Sequence, residues 1–371
     1  PAPAAMEKNS NSTILSHGPT QNVPETSVEP GTNSTVLASG VERFFGDEEE
    51  LEEGDYAESD MLTWAQRQAT VKKKDFSVLT LPPLSTLLPF EKNIYIEHPA
   101  VAALTNEQVQ EMRKQDNVKV RGLDIPKPIS SWSHCGLPSK LDQILINDGC
   151  MTPFPIQCHT LPIILSGRDC IACAKTGSGK TLAFVLPMLR HISRQEPLRE
   201  GEGPIAIILI PTRELAVQCA AVVKKLGRGT GARVVAAYGG HNVADQIALC
   251  KQGCEVLVGT PGRILDLLSL NKGKIINLHR VTYVVLDEAD RMFDMGFEPQ
   301  ILMIVKNTRP DRQTVLFSAT FPKTIENLAK QVLTRPIEVV IGGKSVASDT
   351  VTQIVEVIDE QKKFYRLLEI L

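Results

Sequence analysis

From about Trp132 onward, short aliphatic and β-branched runs alternate with stretches whose apolar positions recur at helical spacing. Seven runs predict strands: Cys170–Ala174, Ile205–Ile210, Arg233–Tyr238, Glu255–Gly259, Val281–Leu286, Thr314–Ser318 and Ile337–Ile341. Among the intervening stretches, Thr181–Arg190, Glu214–Leu226, Arg263–Leu268 and Ile325–Leu333 predict helices. Strands that are apolar throughout and joined by helices imply an α/β domain whose mainly parallel sheet is covered on both faces. In such a sheet, ligand chemistry gathers beyond the carboxyl ends of the strands.

The chain before this region has a different texture. Residues 1–40 are rich in Ser, Thr, Asn and Pro, with too few apolar groups to offset ordering entropy, so disorder is predicted. From Asp47 to Asp60, nine of fourteen residues are acidic, which reads as a solvated tail or as a docking element for a basic partner. The disordered, acidic tail is placed at residues 1–89 and an N-terminal extension at 90–129. Within that extension Thr105 with Gln108 fits a capping box opening a helix through Arg113. Pro126 and Pro128 then impose an extended lead-in to the core.

At 371 residues there is room for two ordinary domains and a tail, and 42% hydrophobic content supports a real core. The net charge of -3 hides an asymmetry: residues 1–70 hold 3 Lys/Arg against 13 Asp/Glu, so the remainder carries about +7. A mildly basic folded part is compatible with a polyanion partner. No apolar run approaches the roughly 18–20 residues that span a bilayer, so no membrane partner is expected. Cys170 and Cys173 have metal-ligand spacing, but no second such pair exists, and they read as part of a buried strand. A reduced, intracellular protein follows.

Three motifs carry chemistry. Ala174-Lys175-Thr176-Gly177-Ser178-Gly179-Lys180-Thr181 lies between a predicted strand and a predicted helix. Gly177 and Gly179 let successive backbone N–H groups turn toward phosphate oxygens, and the helix adds its positive end. In this pattern Lys180 reaches the β- and γ-phosphates of ATP, while Thr181 supplies a hydroxyl to Mg2+. Ala174 stands where the strict pattern has Gly. Asp287-Glu288 follows the apolar run Tyr283–Leu286. Asp287 is placed to hold Mg2+ through water, and Glu288 to orient or deprotonate an attacking water. Alone, the pair also fits an acidic turn capping a helix; beside a phosphate loop, the nucleotide reading prevails. The third motif is Ser318-Ala319-Thr320.

With these motifs in order, the chain from roughly Phe90 onward resembles the DEAD-box RNA helicases. The resemblance implies a RecA-like P-loop NTPase domain over 130–343, followed by the truncated start of a second RecA-like domain over 344–371. Thr352–Ile358 would be that domain's first strand and Gln361–Leu371 its first helix. Gly149-x-x-x-Pro153-Phe154-Pro155-Ile156-Gln157 resembles the family's adenine-reading Q motif, in which Gln157 both gives and takes hydrogen bonds on the base edge. Trp132 occupies the slot of the family's upstream aromatic. Cys150 replaces the motif's usual aromatic, and Phe154 its usual Thr.

By the same resemblance Pro211-Thr212-Arg213, Gly239-Gly240 and Thr260-Pro261-Gly262-Arg263 would grip the backbone of single-stranded RNA. Ser318 and Thr320 would hydrogen-bond to Asp290, linking nucleotide state to RNA grip. Within the family, the likeness is to the prespliceosomal branch-site (U2 snRNP) remodelling subfamily. It rests on Val120-Arg121-Gly122, Pro126-Lys127-Pro128-Ile129, Asp290 through Gln300 and Gly342-Gly343-Lys344-Ser345, among others. It implies ATP and Mg2+ as cofactors, RNA as substrate, snRNP proteins bound through the tail, a nuclear location and a monomer. A DEAD-box enzyme of ribosome biogenesis, transcription or mRNA export, and a non-catalytic docking module, are the alternatives. No HRxGRxGR-type segment occurs, so this polypeptide alone is expected to bind ATP weakly and turn it over poorly.

Overall fold

The computed structural model describes residues 81–270, 275–342, 352 and 354–371. The acidic run, the rest of the tail up to residue 80 and Gly343-Lys344-Ser345 lie outside the described residues.

All seven expected strands form, the first five trimmed at their ends, the sixth longer by one residue and the last as expected: β2 Cys170–Cys173, β3 Ala206–Leu209, β4 Val234–Ala237, β5 Val256–Gly259, β6 Tyr283–Leu286, β7 Gln313–Ser318 and β8 Ile337–Ile341. An eighth, β1 Val118–Arg121, precedes them. Its Val-Lys-Val-Arg pattern alternates because it lies at the sheet edge and buries only part of itself. The sheet runs β1-β8-β2-β7-β6-β3-β5-β4. β1 is antiparallel to β8, and every other pair is parallel.

The helices fill both faces. We label them α1 Asn106–Gln115, α2 Ser139–Asn147, α3 Pro155–Leu165, α4 Lys180–Ser193, α5 Arg213–Gly227, α6 Val243–Lys251, α7 Pro261–Ser269, α8 Ala289–Asp294, α9 Glu298–Lys306, α10 Lys323–Val332 and α11 Glu360–Ile370. Strand residues alternate between two apolar cores: Ala206 and Ile208 face α3, α4 and α5, whereas Ile207 and Leu209 face α7, α9 and α10. The same alternation places Cys170 in one core and Cys173 in the other, on opposite faces of the sheet, so they cannot share a metal. The predicted capping box closes α1: Thr105 Oγ1 accepts from the Gln108 N–H, and Gln108 Oε1 accepts from the Thr105 N–H.

Two expectations need correction. Residues 81–89 belong to the predicted tail, yet Leu84–Thr86 form a 3-10 turn and the Leu88 carbonyl accepts from Arg309 Nη1 at 2.7 Å. Phe90 then packs under the Arg309 guanidinium at 4.9 Å and edge-on to His191 at 5.5 Å. The Leu88 and Phe90 contacts with Arg309 join residues over 200 positions apart, which composition does not register. Second, residues 354–358 form no strand. Ile354, Val355 and Val357 are exposed, and β propensity without a neighbouring ladder leaves the backbone unpaired. The helix after them, α11, does form.

One buried carboxylate locks the amino ends of the central strands. Asp169, just before β2, accepts from the Thr314 N–H at 2.9 Å and the Thr334 N–H at 2.7 Å. It thereby ties the starts of β2, β7 and β8, leaving their carboxyl ends to the loops that carry the motifs.

Candidate nucleotide and nucleic-acid site

The strand order sorts the motifs into two groups along one edge. β2, β7 and β6 are neighbours, and their carboxyl ends carry Ala174–Thr181, Ser318–Thr320 and Asp287–Asp290. β3, β5 and β4 are the next three, carrying Pro211–Arg213, Thr260–Arg263 and Gly239–Gly240. This grouping requires the sheet's crossovers; in chain order β3, β4 and β5 separate β2 from β6 and β7.

In the phosphate loop Gly177 and Gly179 adopt φ of 79° and 85°, and α4 begins at Lys180. Lys180 Nζ folds back to donate to the Ala174 carbonyl at 2.8 Å, while the Ala174 N–H donates to the Ser318 carbonyl at 3.1 Å. Lys175, Thr176 and Gly177 are exposed, and Thr181 is half-buried at the first turn of α4. Ser178 Oγ is buried and has no hydrogen-bond partner among the described residues. Such a group carries a desolvation cost until a ligand satisfies it.

The residues expected on the adenine side approach this loop from α3 and its lead-in. Gln157 is fully buried; its Oε1 accepts from the Phe154 N–H at 2.7 Å, and its Nε2 donates to the Gly179 carbonyl at 2.9 Å. A Cβ on Gly179 would lie 2.5 Å from Gln157 Nε2 and 2.7 Å from Phe154 Cδ2, so only glycine fits. Trp132 is buried as well, its indole N–H donating to the Cys150 carbonyl at 2.9 Å. The structure therefore joins Trp132 to the Gly149–Gln157 segment, and that segment to the phosphate loop, through backbone groups.

Asp287 follows β6 and is half-buried, with Oδ1 accepting from the Glu288 N–H at 3.1 Å. Burial pushes its carboxyl up to about 6; the Lys180 ammonium opposes this, and the Glu288 carboxylate adds to it. Glu288 sits in the left-handed region, with φ and ψ both 51°. That conformation costs a residue with a Cβ roughly 1–2 kcal/mol. It is tolerated at the sharp strand-to-helix turn that turns two successive carboxylates out of the sheet. Arg291 Nη1 lies 3.5 Å from the Glu288 carboxylate, a pairing that sequence reading missed although the i,i+3 spacing on α8 signals it.

The expected Asp290 contacts are present, with one difference in detail. Asp290 Oδ2 accepts from both the Thr320 hydroxyl and the Thr320 N–H, each at 2.8 Å. Ser318 instead accepts through its hydroxyl from the Asp290 N–H at 3.3 Å. Burial pushes the Asp290 carboxyl up, but the bonds from Thr320 and Ser318 outweigh it and hold the carboxyl below the ordinary range.

At the second group of strands, Thr212 caps α5, its Oγ1 accepting from the Leu215 N–H at 3.4 Å. Arg213 is exposed and reaches across to the next loop, its Nη1 3.1 Å from where a Gly240 Cβ would stand. Gly239 and Gly240 are exposed, Thr260 precedes α7, Pro261 is buried at its first turn, and a Cβ on Gly262 would meet nothing within 4 Å among the described residues. Arg263 Nη1 is buried without a hydrogen-bond partner among the described residues. Gly259 lets β5 approach β4, since a Cβ there would lie 2.1 Å from the Ala237 carbonyl oxygen.

Comparison with known proteins agrees with this geometry. Residues 154–328 match the family model described as DEAD/DEAH box helicase. The "DEAD-box ATP-dependent RNA helicase 45" of Oryza sativa subsp. japonica is 56% identical over 283 residues, covering 76% of this chain and 30% of its own length. The "Pre-mRNA-processing ATP-dependent RNA helicase prp5" of Neosartorya fischeri is 51% identical over 336 residues, covering 89% of this chain and 28% of its own. The chain thus spans under a third of these relatives. Among solved structures, the RNA helicase Prp28 from Chaetomium thermophilum bound to ADP superposes with a TM-score of 0.59 at 36% identity, covering 74% of this chain and 65% of that one. On the matched family model, the sequence identity and the shared RecA-like fold, this chain belongs to the DEAD-box helicase family.

Proposed function

We propose that this chain is the ATP-binding and RNA-gripping core of an ATP-dependent RNA helicase that remodels ribonucleoprotein during pre-mRNA splicing. The observation that carries the proposal is the two-part edge: nucleotide motifs on β2, β7 and β6, and backbone-binding motifs on the adjoining β3, β5 and β4.

The residues present fit a magnesium nucleotide. Asp287 and Thr181 offer hard oxygen donors, Asp287 is short of solvent to stabilise its charge, and the Ser178 hydroxyl lacks a partner among the described residues. Asp287 and Thr181 would hold Mg2+, which when bound offsets charge on the phosphate oxygens. Lys180 leaves the Ala174 carbonyl to donate to the β- and γ-phosphates, and the loop from Ala174 through Gly179 supplies N–H groups. Lys175 and Thr176 stand at its exposed rim. Glu288, fixed by its left-handed backbone, accepts the proton of the attacking water at its carboxylate. Trp132 and Gln157 shape the adenine side through their bonds to Cys150, Phe154 and Gly179.

The Asp290–Thr320 bonds tie the loop after β6 to the loop after β7, so displacement of one moves the other. Arg213 and Arg263, with the Thr212, Gly239, Gly240 and Thr260 loops and the prolines 211 and 261 that shape them, would bind RNA phosphates without reading bases. The assignment to splicing, with a nuclear location and snRNP protein partners, draws on the likeness to the Neosartorya fischeri pre-mRNA-processing helicase.

Calorimetry with ADP·Mg2+ and fluorescence anisotropy with a single-stranded RNA test the two halves separately. Lys180→Ala should abolish ADP binding and leave nucleotide-free RNA binding intact; Arg263→Ala should do the reverse. Identical losses in both variants would sink the two-part edge. Sequencing RNA crosslinked to the protein in cells tests the splicing assignment: branch-site snRNA is expected, and rRNA or bulk mRNA would overturn it.

A further inference from the structure

We infer that Gln246 is a positioning residue that holds the Gly239-Gly240 loop ready for RNA phosphates, an assignment that rests on the proposed RNA edge and extends it to a residue outside the RNA motifs. Gln246 lies on α6, the helix that follows the loop, and is only 2% exposed. The same face of α6 buries Cys250 one turn on, so an apolar side chain would fill the position with no polar group to satisfy. Gln246 instead buries an amide used on one side. Its Nε2 donates to the Tyr238 carbonyl at 3.1 Å, while Oε1 is buried without a hydrogen-bond partner among the described residues. The carbonyl fixes the orientation of the amide, since the reverse would set two oxygens against each other. A half-satisfied buried amide costs folding free energy. The one bond it makes falls on the entrance to the loop.

That entrance is where the sheet stops. β4 ends at Ala237, whose carbonyl accepts from the Thr260 N–H at 3.0 Å, and the next carbonyl, that of Tyr238, is taken by Gln246. At the far end of the loop Asn242 caps α6, its Oδ1 accepting from the Ala244 N–H at 3.0 Å. α6 therefore holds both ends of the loop that leads into it, and Gly239, Gly240 and His241 between them are exposed. Gly240 adopts a φ of 79°, and Arg213 Nη1 stands 3.1 Å from where its Cβ would lie. A small shift of the loop thus changes both the aim of the glycine N–H groups and the room left for the guanidinium. Backbone N–H groups and a guanidinium bind phosphate best when they are held in place beforehand. Gln246 lies beneath this surface and would touch no RNA; it acts through the glycines and Arg213.

Fluorescence anisotropy of the full chain with a labelled single-stranded oligo(U), across a salt series, tests the assignment. Gln246→Met keeps the volume and removes both the donor and the unpaired acceptor. It should melt within a few degrees of wild type yet bind RNA about 3- to 10-fold more weakly, with ADP·Mg2+ affinity unchanged. The slope of log Kd against log salt should fall by about 0.7, the share of one phosphate contact on a single strand. Added to Arg213→Ala, Gln246→Met should weaken binding by less than about 2-fold more, because both act on one loop. Gln246→Glu keeps the shape but offers no N–H at neutral pH, and should bind RNA no better than the Met variant. Wild-type RNA binding by Gln246→Met or by Gln246→Glu, beside a loss in Arg213→Ala, overturns the role of Gln246 and leaves the edge standing. Fully additive losses, or weaker binding at an unchanged salt slope, also overturn it, since general loosening of the fold would then suffice. If Arg213→Ala binds RNA like wild type, the underlying reading of the edge fails.

Discussion

Replacing Thr320 by Val removes one hydroxyl, keeps the side chain's shape, and leaves the backbone N–H as a second donor to Asp290. The lost bond is a 2.8 Å contact from a neutral hydroxyl to a carboxylate. Bonds to charged groups contribute about 1.5–3 kcal/mol when buried. Here Thr320 is exposed and Asp290 half-buried, so screening by solvent lowers the expectation to about 1 kcal/mol. A double-mutant cycle with Asp290→Ala isolates this interaction from the other contacts each residue makes. Urea denaturation followed by fluorescence or circular dichroism should return a coupling energy of about 0.5–1.5 kcal/mol. The carboxyl lies below its ordinary range when folded, so the unfolded state takes up the proton first as acid is added. The coupling is therefore complete near pH 7 and is lost as pH falls below about 4, through the depressed folded value. Additivity of the two mutations within about 0.3 kcal/mol at pH 7 would refute the claim that this pair joins the loops after β6 and β7.

Other expectations concern the frame that holds the site. Asp169→Ala leaves the Thr314 and Thr334 N–H groups without their acceptor and should cost about 2–4 kcal/mol in chemical denaturation; a loss below about 1 kcal/mol would contradict the lock. His191 is buried between Phe90 and Thr282, and burial pushes its imidazole down to about 4. The unfolded state binds a proton there first, so stability should fall by about 3 kcal/mol between pH 6.5 and 4, and an NMR titration showing a His191 midpoint near 6.5 would refute it. Gly259→Ala drives a Cβ into the Ala237 carbonyl and should lower stability by at least about 2 kcal/mol, whereas Gly262→Ala, with open space around it, should melt within about 2 °C of wild type.

Much of the fold was legible because its strands are buried on both faces, and apolar runs of this kind survive any uncertainty about partners. β1 escaped notice because an edge strand with Lys119 and Arg121 lacks that signal, and its pairing with β8 spans more than 200 residues of chain. Residues 354–358 show the converse: they carry strand propensity, yet a strand forms only where another ladder receives it. The phosphate loop and the acidic pair were equally readable, since glycines, a lysine and adjacent carboxylates at strand ends constrain the chemistry locally. Arg291 beside Glu288 was available from helical spacing and went unread.

What the amino-acid sequence determined by itself was the identity of the chemical groups and the local turns that present them: which residues are apolar on both sides, where glycine permits a left-handed turn, where charge accumulates. The tertiary structure decided their grouping. Chain order takes Ala174–Thr181 to Asp287 through three intervening strands, and the parallel crossovers place β2, β7 and β6 side by side instead. It also decided exposure, sealing Gln157 and Trp132 against backbone while leaving Phe154 half in solvent. The physical reason is that burial and long-range hydrogen bonding depend on neighbours distant in sequence, and only packing selects those neighbours.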